Sequence, residues 1–118
     1  MAERVLVVED NSDTAQSLRV LLELVGHAVR VAGSGPEGVR VAAEWRPGVV
    51  LCDIGLPGFD GWEVARRLRA DPGTAGARLC ALTAYDTRED RLRSREAGFE
   101  QHLAKPADFE QILRLVGS

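Results

Sequence analysis

Two hydrophobic periods alternate along the chain. Continuous apolar runs, the clearest at 5–8 and 48–52, are typical of strands buried on both faces. Between the runs, apolar side chains recur every three or four residues, which predicts helices with one inward face. The predicted strands cover 4–8, 28–32, 48–52, 78–82 and 100–104, and the predicted helices cover 12–25, 36–45, 62–70, 87–97 and 109–116.

Helix boundaries follow from capping chemistry. Ser12 or Asp13 is expected to cap the first helix, and Pro36 is expected to open the second, because proline fits the first helical turn. Asp60 and Asp108 are expected to cap the third and fifth helices. The predicted inward faces include Ala15, Leu18, Leu21, Leu22 and Val25 in the first helix, and Val39, Ala42 and Ala43 in the second.

Strict alternation of strands and helices favours an α/β fold. Such a chain forms a parallel sheet covered on both faces, with right-handed crossovers. We therefore expect a (βα)₅ doubly wound sheet with the flavodoxin-like strand order 2-1-3-4-5. Residues 1–118 are expected to form one domain, with no output domain following it.

Charge and composition argue against some classes of function. The chain has 118 residues, a net charge of −3 and no apolar run near the length of a membrane span, which argues against binding to nucleic acid or membrane. Cys52 and Cys80 lie in apolar runs and are expected to be buried free thiols of a cytoplasmic protein. Fourteen of the 15 basic residues are arginine, and Lys105 is the one lysine.

Chemically active side chains follow the predicted strands where they end. Glu9 and Asp10 follow the first strand, Asp53 the third, Thr83 the fourth and Lys105 the fifth. In a sheet of this order, ligands bind outside the carboxyl ends of the strands, so these groups should converge. Three adjacent carboxylates need a compensating cation or a shared proton, and Mg²⁺ or Mn²⁺ suits such oxygen ligands.

The hydroxyl of Thr83 and the ammonium of Lys105 could bind an anion at the same edge of the sheet. A metal, a carboxylate nucleophile, Thr83 and Lys105 together are typical of phosphoryl transfer. Each group also has a plainer interpretation, since Asp10 or Thr83 alone could cap a helix and a lone lysine is usually solvated. The conjunction of five groups on one edge favours the chemical interpretation.

These residues carry a resemblance to the receiver domains of two-component response regulators. The sequence is similar to that family at 7–11, 53–61 and 82–84 and at Lys105-Pro106, and the likeness spans residues 3–117. It implies that Asp53 accepts a phosphoryl group from a phosphohistidine of a sensor histidine kinase or a histidine phosphotransfer protein. It also implies that the domain catalyses its own phosphorylation and dephosphorylation and that phosphorylation switches its conformation.

The resemblance implies further roles. Asp10, Asp53 and the backbone carbonyl of Gly55 would ligate Mg²⁺, and Glu9 would act through a metal-bound water. Thr83 and Lys105 would contact phosphoryl oxygens, with a cis peptide between Lys105 and Pro106. The loop around Gly55 and the stretch 98–106 are similar to receivers attached to hybrid sensor kinases, and a single-domain regulator is the other form expected.

Some positions depart from the commonest family pattern. His102 stands where the family usually has an aromatic switch residue. An exposed edge-strand histidine is the favoured interpretation, and a pH-sensitive or weakened switch is the alternative. The resemblance implies that Gly55, Ala84 and Tyr85 occupy the positions that set access to the phosphoryl group. A small Gly55 would leave room for water, whereas Tyr85 could cover the site.

Two rival functions stay open. Residues 33–38 fit the pattern G-x-G-x-x-G of a nucleotide-binding Rossmann-like domain, although Pro36 lacks an N–H and Glu37 is an anion. A receiver that is never phosphorylated and only binds partners is the second rival. For output, the face of the fourth helix, fifth strand and fifth helix is a hypothesis for a homodimer or partner contact, and its mixed charges fit a solvated surface equally well.

Overall fold

The computed structural model describes residues 2–84 and 87–117. Five parallel strands form one sheet, and one helix follows each strand along the described chain, which confirms the predicted (βα)₅ fold. The strands are β1 (Arg4–Val8), β2 (Ala28–Ala32), β3 (Val49–Asp53), β4 (Arg78–Thr83) and β5 (Gln101–Ala104); the helices are α1 (Ser12–Leu24), α2 (Gly35–Trp45), α3 (Gly61–Ala70), α4 (Arg88–Ala97) and α5 (Phe109–Val116). The strand order in the sheet is β2-β1-β3-β4-β5, as predicted.

The sheet separates two apolar cores. Alternate residues of the central strands enter opposite cores because successive side chains of a strand point to opposite faces. In β1, Leu6 and Val8 pack with α2, α3 and the end of α4, whereas Val5 and Val7 pack with α1 and α5. Burial on both faces explains the continuous apolar runs in β1, β3 and β4.

Helix starts show where capping was predicted correctly and where it was not. Asp60 caps α3 and Asp108 caps α5, as expected. Neither Ser12 nor Asp13 caps α1, because the preceding residue, Asn11, does so by accepting a hydrogen bond from Thr14 N at 3.0 Å. In α2, Ser34 is the cap, so the helix begins one residue before Pro36.

Two predicted inward side chains are exposed. Val25 is 45% exposed because α1 ends at Leu24, and Val25 has already left the helical path. Ala43 is exposed because the buried face of α2 is formed by Gly38, Val41 and Ala42, and each further residue turns by about 100° around the axis. The remaining predicted core positions of α1 and α2 are buried or half-buried.

Both cysteines are buried free thiols, as predicted. Burial raises the pKa of Cys80 to about 12. Burial, followed by the negative charge of Asp53, raises the pKa of Cys52 well above its ordinary value. Among the described residues, none of the helices combines the length and the hydropathy required to cross a bilayer.

Candidate functional site

Three carboxylates meet at the carboxyl edge of the sheet. β1 and β3 are adjacent, with Val8 opposite Cys52, so the residues that follow these partners lie side by side. Glu9, Asp10 and Asp53 each offer an oxygen atom, and these atoms all lie within 4.8 Å of one another. The structure therefore brings together the three acidic residues that the sequence placed at two strand ends.

Lys105, which follows the edge strand β5, contacts this cluster with its side chain. Its ammonium donates to Glu9 Oε1 at 2.5 Å and to Asp53 Oδ2 at 3.1 Å. Its backbone N–H donates to Thr83 O at 2.9 Å, which ties the end of β5 to the end of β4. Lys105 precedes Pro106 through a cis peptide bond. One ammonium thus partly neutralises the negative charge of two carboxylates, which follow or end different strands.

The buried carboxylate of this cluster is Glu9, which is 4% exposed. Burial raises the pKa of Glu9, and the hydrogen bonds from Lys105 and from Asn11 N only partly oppose this shift. For Lys105, burial works against the charge, but the hydrogen bonds to Glu9 and Asp53 outweigh it and raise the pKa of the ammonium. The Lys105 side chain is therefore held in its charged, protonated form where it contacts Glu9 and Asp53.

Asp53 is presented by a tight loop. Its side chain is 12% exposed, and Oδ1 accepts from Gly55 N at 3.3 Å. Gly61 N donates to Ile54 O at 2.8 Å, and a Cβ at Gly61 would lie 2.3 Å from Asp53 O. Glycine at this position lets the start of α3 approach the backbone that carries Asp53.

Thr83 and Ala84 lie at the same edge of the sheet. Thr83 ends β4 and is fully buried, one residue beyond Leu82, the partner of Asp53 in the sheet register. Ala84, which follows Thr83, is exposed. Tyr85, which was assigned to site access, lies outside the described residues.

His102 is half-buried, contrary to the exposed position expected for an edge-strand histidine. Its Nδ1 lies 3.2 Å from Ser94 Oγ of α4. Ser94 Oγ also accepts a hydrogen bond of 2.9 Å from the Trp62 indole. Ser94 and Trp62 were not singled out from the sequence, because only the packing of α3, α4 and β5 brings these three side chains together.

A groove of about 640 Å³ adjoins the candidate site. It lies between α1 and the segment that follows β5, and Lys105 is one of its lining residues. Its walls are mainly apolar, with a few polar side chains from the first turns of α1. The lining consists of Asp13, Thr14, Ser17, Leu18, Leu21, Leu82, Lys105, Pro106, Ala107, Phe109 and Ile112.

The glycine motif at 33–38 is built for packing. Gly33 N donates to the Glu37 carboxylate at 2.6 Å, and Gly35 N donates to Pro57 O at 3.2 Å. A Cβ at Gly35 would lie 2.3 Å from Phe59 O, so the loop after Asp53 covers the start of α2. The N–H groups that would bind a pyrophosphate are therefore occupied, which argues against the nucleotide-binding alternative.

The donor set fits a hard divalent cation. Mg²⁺ prefers oxygen ligands and is commonly held by one or two carboxylates together with water. Asp10 is exposed and Asp53 partly exposed, so both can be reached from solvent, while Glu9 lies behind them. An acidic cluster beside an ammonium can hold a cation and an anion next to each other, which is the requirement for stabilising a phosphoryl group.

Comparison with known proteins identifies the family. The family model of the response regulator receiver domain matches residues 5–117. The chain belongs to the response regulator receiver domain family. The matched range contains both acidic strand ends, Thr83 and Lys105, so the site described above lies within the receiver domain.

Individual relatives agree with this assignment. Protein PilH of Pseudomonas aeruginosa is 33% identical over 115 residues, which cover 98% of this receiver and 95% of PilH. The receiver domain of a Pseudomonas aeruginosa sensor histidine kinase, solved with magnesium coordinated in its active site cleft, superposes with a TM-score of 0.87 at 30% identity and full coverage of both chains. A Burkholderia pseudomallei response regulator with a phosphorylated aspartic acid superposes with a TM-score of 0.89 at 28% identity, over 98% of this chain and 67% of that one.

Proposed function

We propose that this receiver is a phosphoacceptor module of a two-component system or phosphorelay and that Asp53 accepts the phosphoryl group. The observation that carries the proposal is the position of the Asp53 carboxylate. Its Oδ2 atom lies 3.1 Å from the Lys105 ammonium, and the carboxylate offers an oxygen within 4.8 Å of carboxylate oxygens of Glu9 and Asp10. Glu9 also contacts Lys105, but its side chain is 4% exposed, whereas that of Asp53 is 12% exposed. Asp53 is therefore the carboxylate of this pair that a phosphodonor can reach more easily.

The transfer step follows from this geometry. A carboxylate oxygen of Asp53 attacks the phosphorus of a phosphohistidine; the new O–P bond forms as the P–N bond breaks, and the imidazole leaves with its electron pair and takes up a proton. Charge builds on the three equatorial oxygens during the transfer. Lys105 and Thr83 would each contact one of these oxygens, and such preorganised donors stabilise the transition state.

A divalent cation completes the proposed site. Asp10, Asp53 and the carbonyl of Gly55 would hold Mg²⁺ or Mn²⁺, and Glu9 would bind one of its waters. The bound ion would neutralise charge on the phosphoryl oxygens and compensate the repulsion among the carboxylates. The sensor-kinase receiver solved with magnesium in its cleft supports this assignment, as does the close approach of three carboxylates here.

The partner is a histidine-containing phosphodonor, either a sensor kinase or a phosphotransfer protein. The groove beside Lys105 is a suitable docking place for it, because its apolar wall runs up to the residue that faces Asp53. A donor seated there would bring its phosphohistidine to the exposed side of the site. We further propose a cytoplasmic location, in keeping with the two reduced, buried thiols.

Phosphorylation of the isolated chain tests the proposal. We expect acetyl phosphate with Mg²⁺ to add one phosphoryl group to the wild-type protein, as measured by intact-mass spectrometry. Asp53→Asn should abolish the addition, because an amide oxygen is a far weaker nucleophile. Asp13→Asn is the matched control, since Asp13 is an exposed carboxylate near the site, and it should be phosphorylated like the wild type.

Two results would contradict the assignment. Equal labelling of wild type and Asp53→Asn would place the modification elsewhere, and no labelling of either protein with Mg²⁺ present would favour a receiver that only binds partners. Beryllofluoride, a mimic of the acyl phosphate, gives a second readout, since its binding should require both Asp53 and Mg²⁺.

A further inference from the structure

Helix α4 is attached to the molecule by little apolar surface. Of its ten residues, only Ser94 and Ala97 are buried. Its one large hydrophobic side chain, Leu92, is 52% exposed. Burial of large apolar side chains is the main source of helix stability in globular proteins, so α4 must be held by other contacts.

Polar contacts fix the two ends of α4. At the first turn, Thr87 and Asp90 form a capping box. At the last turn, the Arg69 guanidinium of α3 donates to Gly98 O at 2.7 and 3.0 Å. These contacts stabilise the termini, but neither ties the middle of the helix to the sheet.

Ser94 provides buried hydrogen bonds to the middle of α4. Ser94 is 1% exposed, and its hydroxyl accepts a hydrogen bond from the Trp62 indole at 2.9 Å. The same oxygen lies 3.2 Å from His102 Nδ1. Because an indole N–H only donates, the hydroxyl proton of Ser94 remains available for His102 Nδ1. One side chain of α4 is therefore bonded both to α3 and to β5.

The Trp62 end of this connection is buried in the protein. Trp62 is the second residue of α3 and is 7% exposed, and the guanidinium of Arg93, which precedes Ser94 in α4, lies over its ring at 3.8 Å. Trp62 also lines a cavity of about 310 Å³ together with Ile54, Gly55 and Asp60 of the loop after Asp53. The indole thus lies between α4 and the loop that presents Asp53.

The His102 end approaches the other side of the site. His102 pairs with Ala81 in the sheet, two residues before Thr83. Alternation along a parallel pair places His102 on the same face as Thr83. A displacement at the end of β4 therefore has a short path to the imidazole that contacts Ser94.

We propose that Ser94 is the positioning residue of an α4 latch, formed by Trp62, Ser94 and His102. Its two hydrogen bonds hold α4 against α3 and β5, and their opening is the step that allows α4 to move as a unit. The latch exists in the unmodified protein. Only its link to phosphorylation rests on the proposed function.

Hydrogen exchange of the unmodified protein tests the latch directly. In the wild type, the indole N–H of Trp62 should be strongly protected from exchange. In Ser94→Ala, backbone amides of 88–97 should exchange about tenfold faster, which corresponds to the loss of one or two buried hydrogen bonds. Amides in α1 and in the central strands should keep their wild-type rates. Leu92→Ala, an exposed site on the same helix, is the matched control and should leave α4 unchanged.

A second variant covers the case in which Ser94→Ala folds poorly. Trp62→Phe removes the N–H donor and keeps a ring, and it should also speed exchange in α4. The latch is wrong if the Trp62 indole exchanges as an unprotected N–H in the wild type. It is also wrong if both variants speed exchange uniformly over the whole chain, because Ser94 would then contribute only to global stability.

The link to phosphorylation has a separate readout. Acetyl phosphate with Mg²⁺ should shift the indole resonance of Trp62 in the wild type and leave it unchanged in Asp53→Asn. A phosphorylated protein, verified by its mass, with an unshifted indole would disprove the link, whereas an unphosphorylated protein would count against the proposed function and leave the exchange results standing.

Discussion

At the scale of single residues, the site is dominated by one ammonium among many guanidinium groups. Fourteen of the 15 basic residues are arginines, yet the residue that contacts both Glu9 and Asp53 is Lys105. Lysine is a compact point charge, whereas arginine presents a broad planar fork. The Lys105 nitrogen lies 2.5 Å from Glu9 Oε1 and 3.1 Å from Asp53 Oδ2. A space this narrow between two carboxylates suits the smaller cation.

Replacing this lysine by arginine tests the steric argument. Lys105→Arg keeps the charge, so we expect a melting temperature close to that of the wild type. The bulkier head cannot occupy the same point between Glu9 and Asp53, and phosphorylation by acetyl phosphate should slow by about 10- to 100-fold. The rate is measured by intact mass over time. Arg114→Lys, an exposed position on α5, is the control; an undiminished rate in Lys105→Arg would contradict the argument.

The buried thiols make stability depend on pH in the alkaline range. Burial raises the pKa of folded Cys80 from 9.0 to about 12, so the unfolded chain loses this proton first. The contribution of the Cys80 thiol to the free energy of unfolding is fully present below about pH 9. It is lost as the pH rises toward 12, and the free energy of unfolding then falls by up to about 1.4 kcal/mol per pH unit. Urea unfolding between pH 8 and 10.5 should show a shallower decline for Cys80→Ala than for the wild type. Parallel declines in the two proteins would refute this.

At the scale of elements, the strands were predicted well and the helix starts less well. The apolar runs of β1, β3 and β4 have a single physical cause, burial on both faces, and this cause is visible in the sequence. The start of α1 depends on which of three adjacent polar residues takes an extended backbone, and Asn11 does so with φ −81° and ψ 111°. Backbone geometry of this kind is decided by tertiary context.

The contact between α2 and the loop after Asp53 leads to a prediction about two glycines. Gly35→Ala would place a Cβ 2.3 Å from Phe59 O, whereas the nearest atom to a Cβ at Gly33 is Glu37 Oε1 at 4.0 Å. We expect Gly35→Ala to lower the free energy of unfolding by about 1–3 kcal/mol and to slow phosphorylation, because the loop carrying Gly55 must shift. Gly33→Ala should be nearly neutral. Urea unfolding and acetyl phosphate labelling measure both effects, and equal behaviour of the two variants would refute the packing role.

At the scale of the whole molecule, the site forms because the strand order places distant residues at one edge. Positions 9, 53 and 105 converge once β1, β3, β4 and β5 are ordered as observed, and the strand order followed from the alternation of elements. The Trp62–Ser94–His102 contacts depend on the positions of α3 and α4 relative to β5. No periodicity in the sequence reports those positions, so this part of the molecule became visible only in the structure.

Metal binding should be linked to global stability. Three clustered carboxylates repel one another, and a cation that binds only the folded state adds stability according to its concentration. We expect Mg²⁺ at about 100 times its dissociation constant to raise the free energy of unfolding by about 2.7 kcal/mol, and EDTA to remove this gain without unfolding the protein. Thermal melts with and without Mg²⁺ measure it. Asp10→Asn should lose most of the gain, and a gain of equal size in that variant would contradict the assignment of Asp10 as a ligand.

The single lysine also makes the site chemically addressable. Because every other basic side chain is a guanidinium, an amine-directed reaction such as reductive methylation has two targets in this chain, the α-amino group and Lys105. A ¹³C-methyl group on Lys105 would lie within reach of Glu9 and Asp53, since the ammonium contacts both. The NMR spectrum of the methylated protein would contain signals from two positions, Lys105 and the α-amino group. The composition of the chain thus provides a nearly background-free spectroscopic probe inside the pocket where the phosphoryl group is expected to bind.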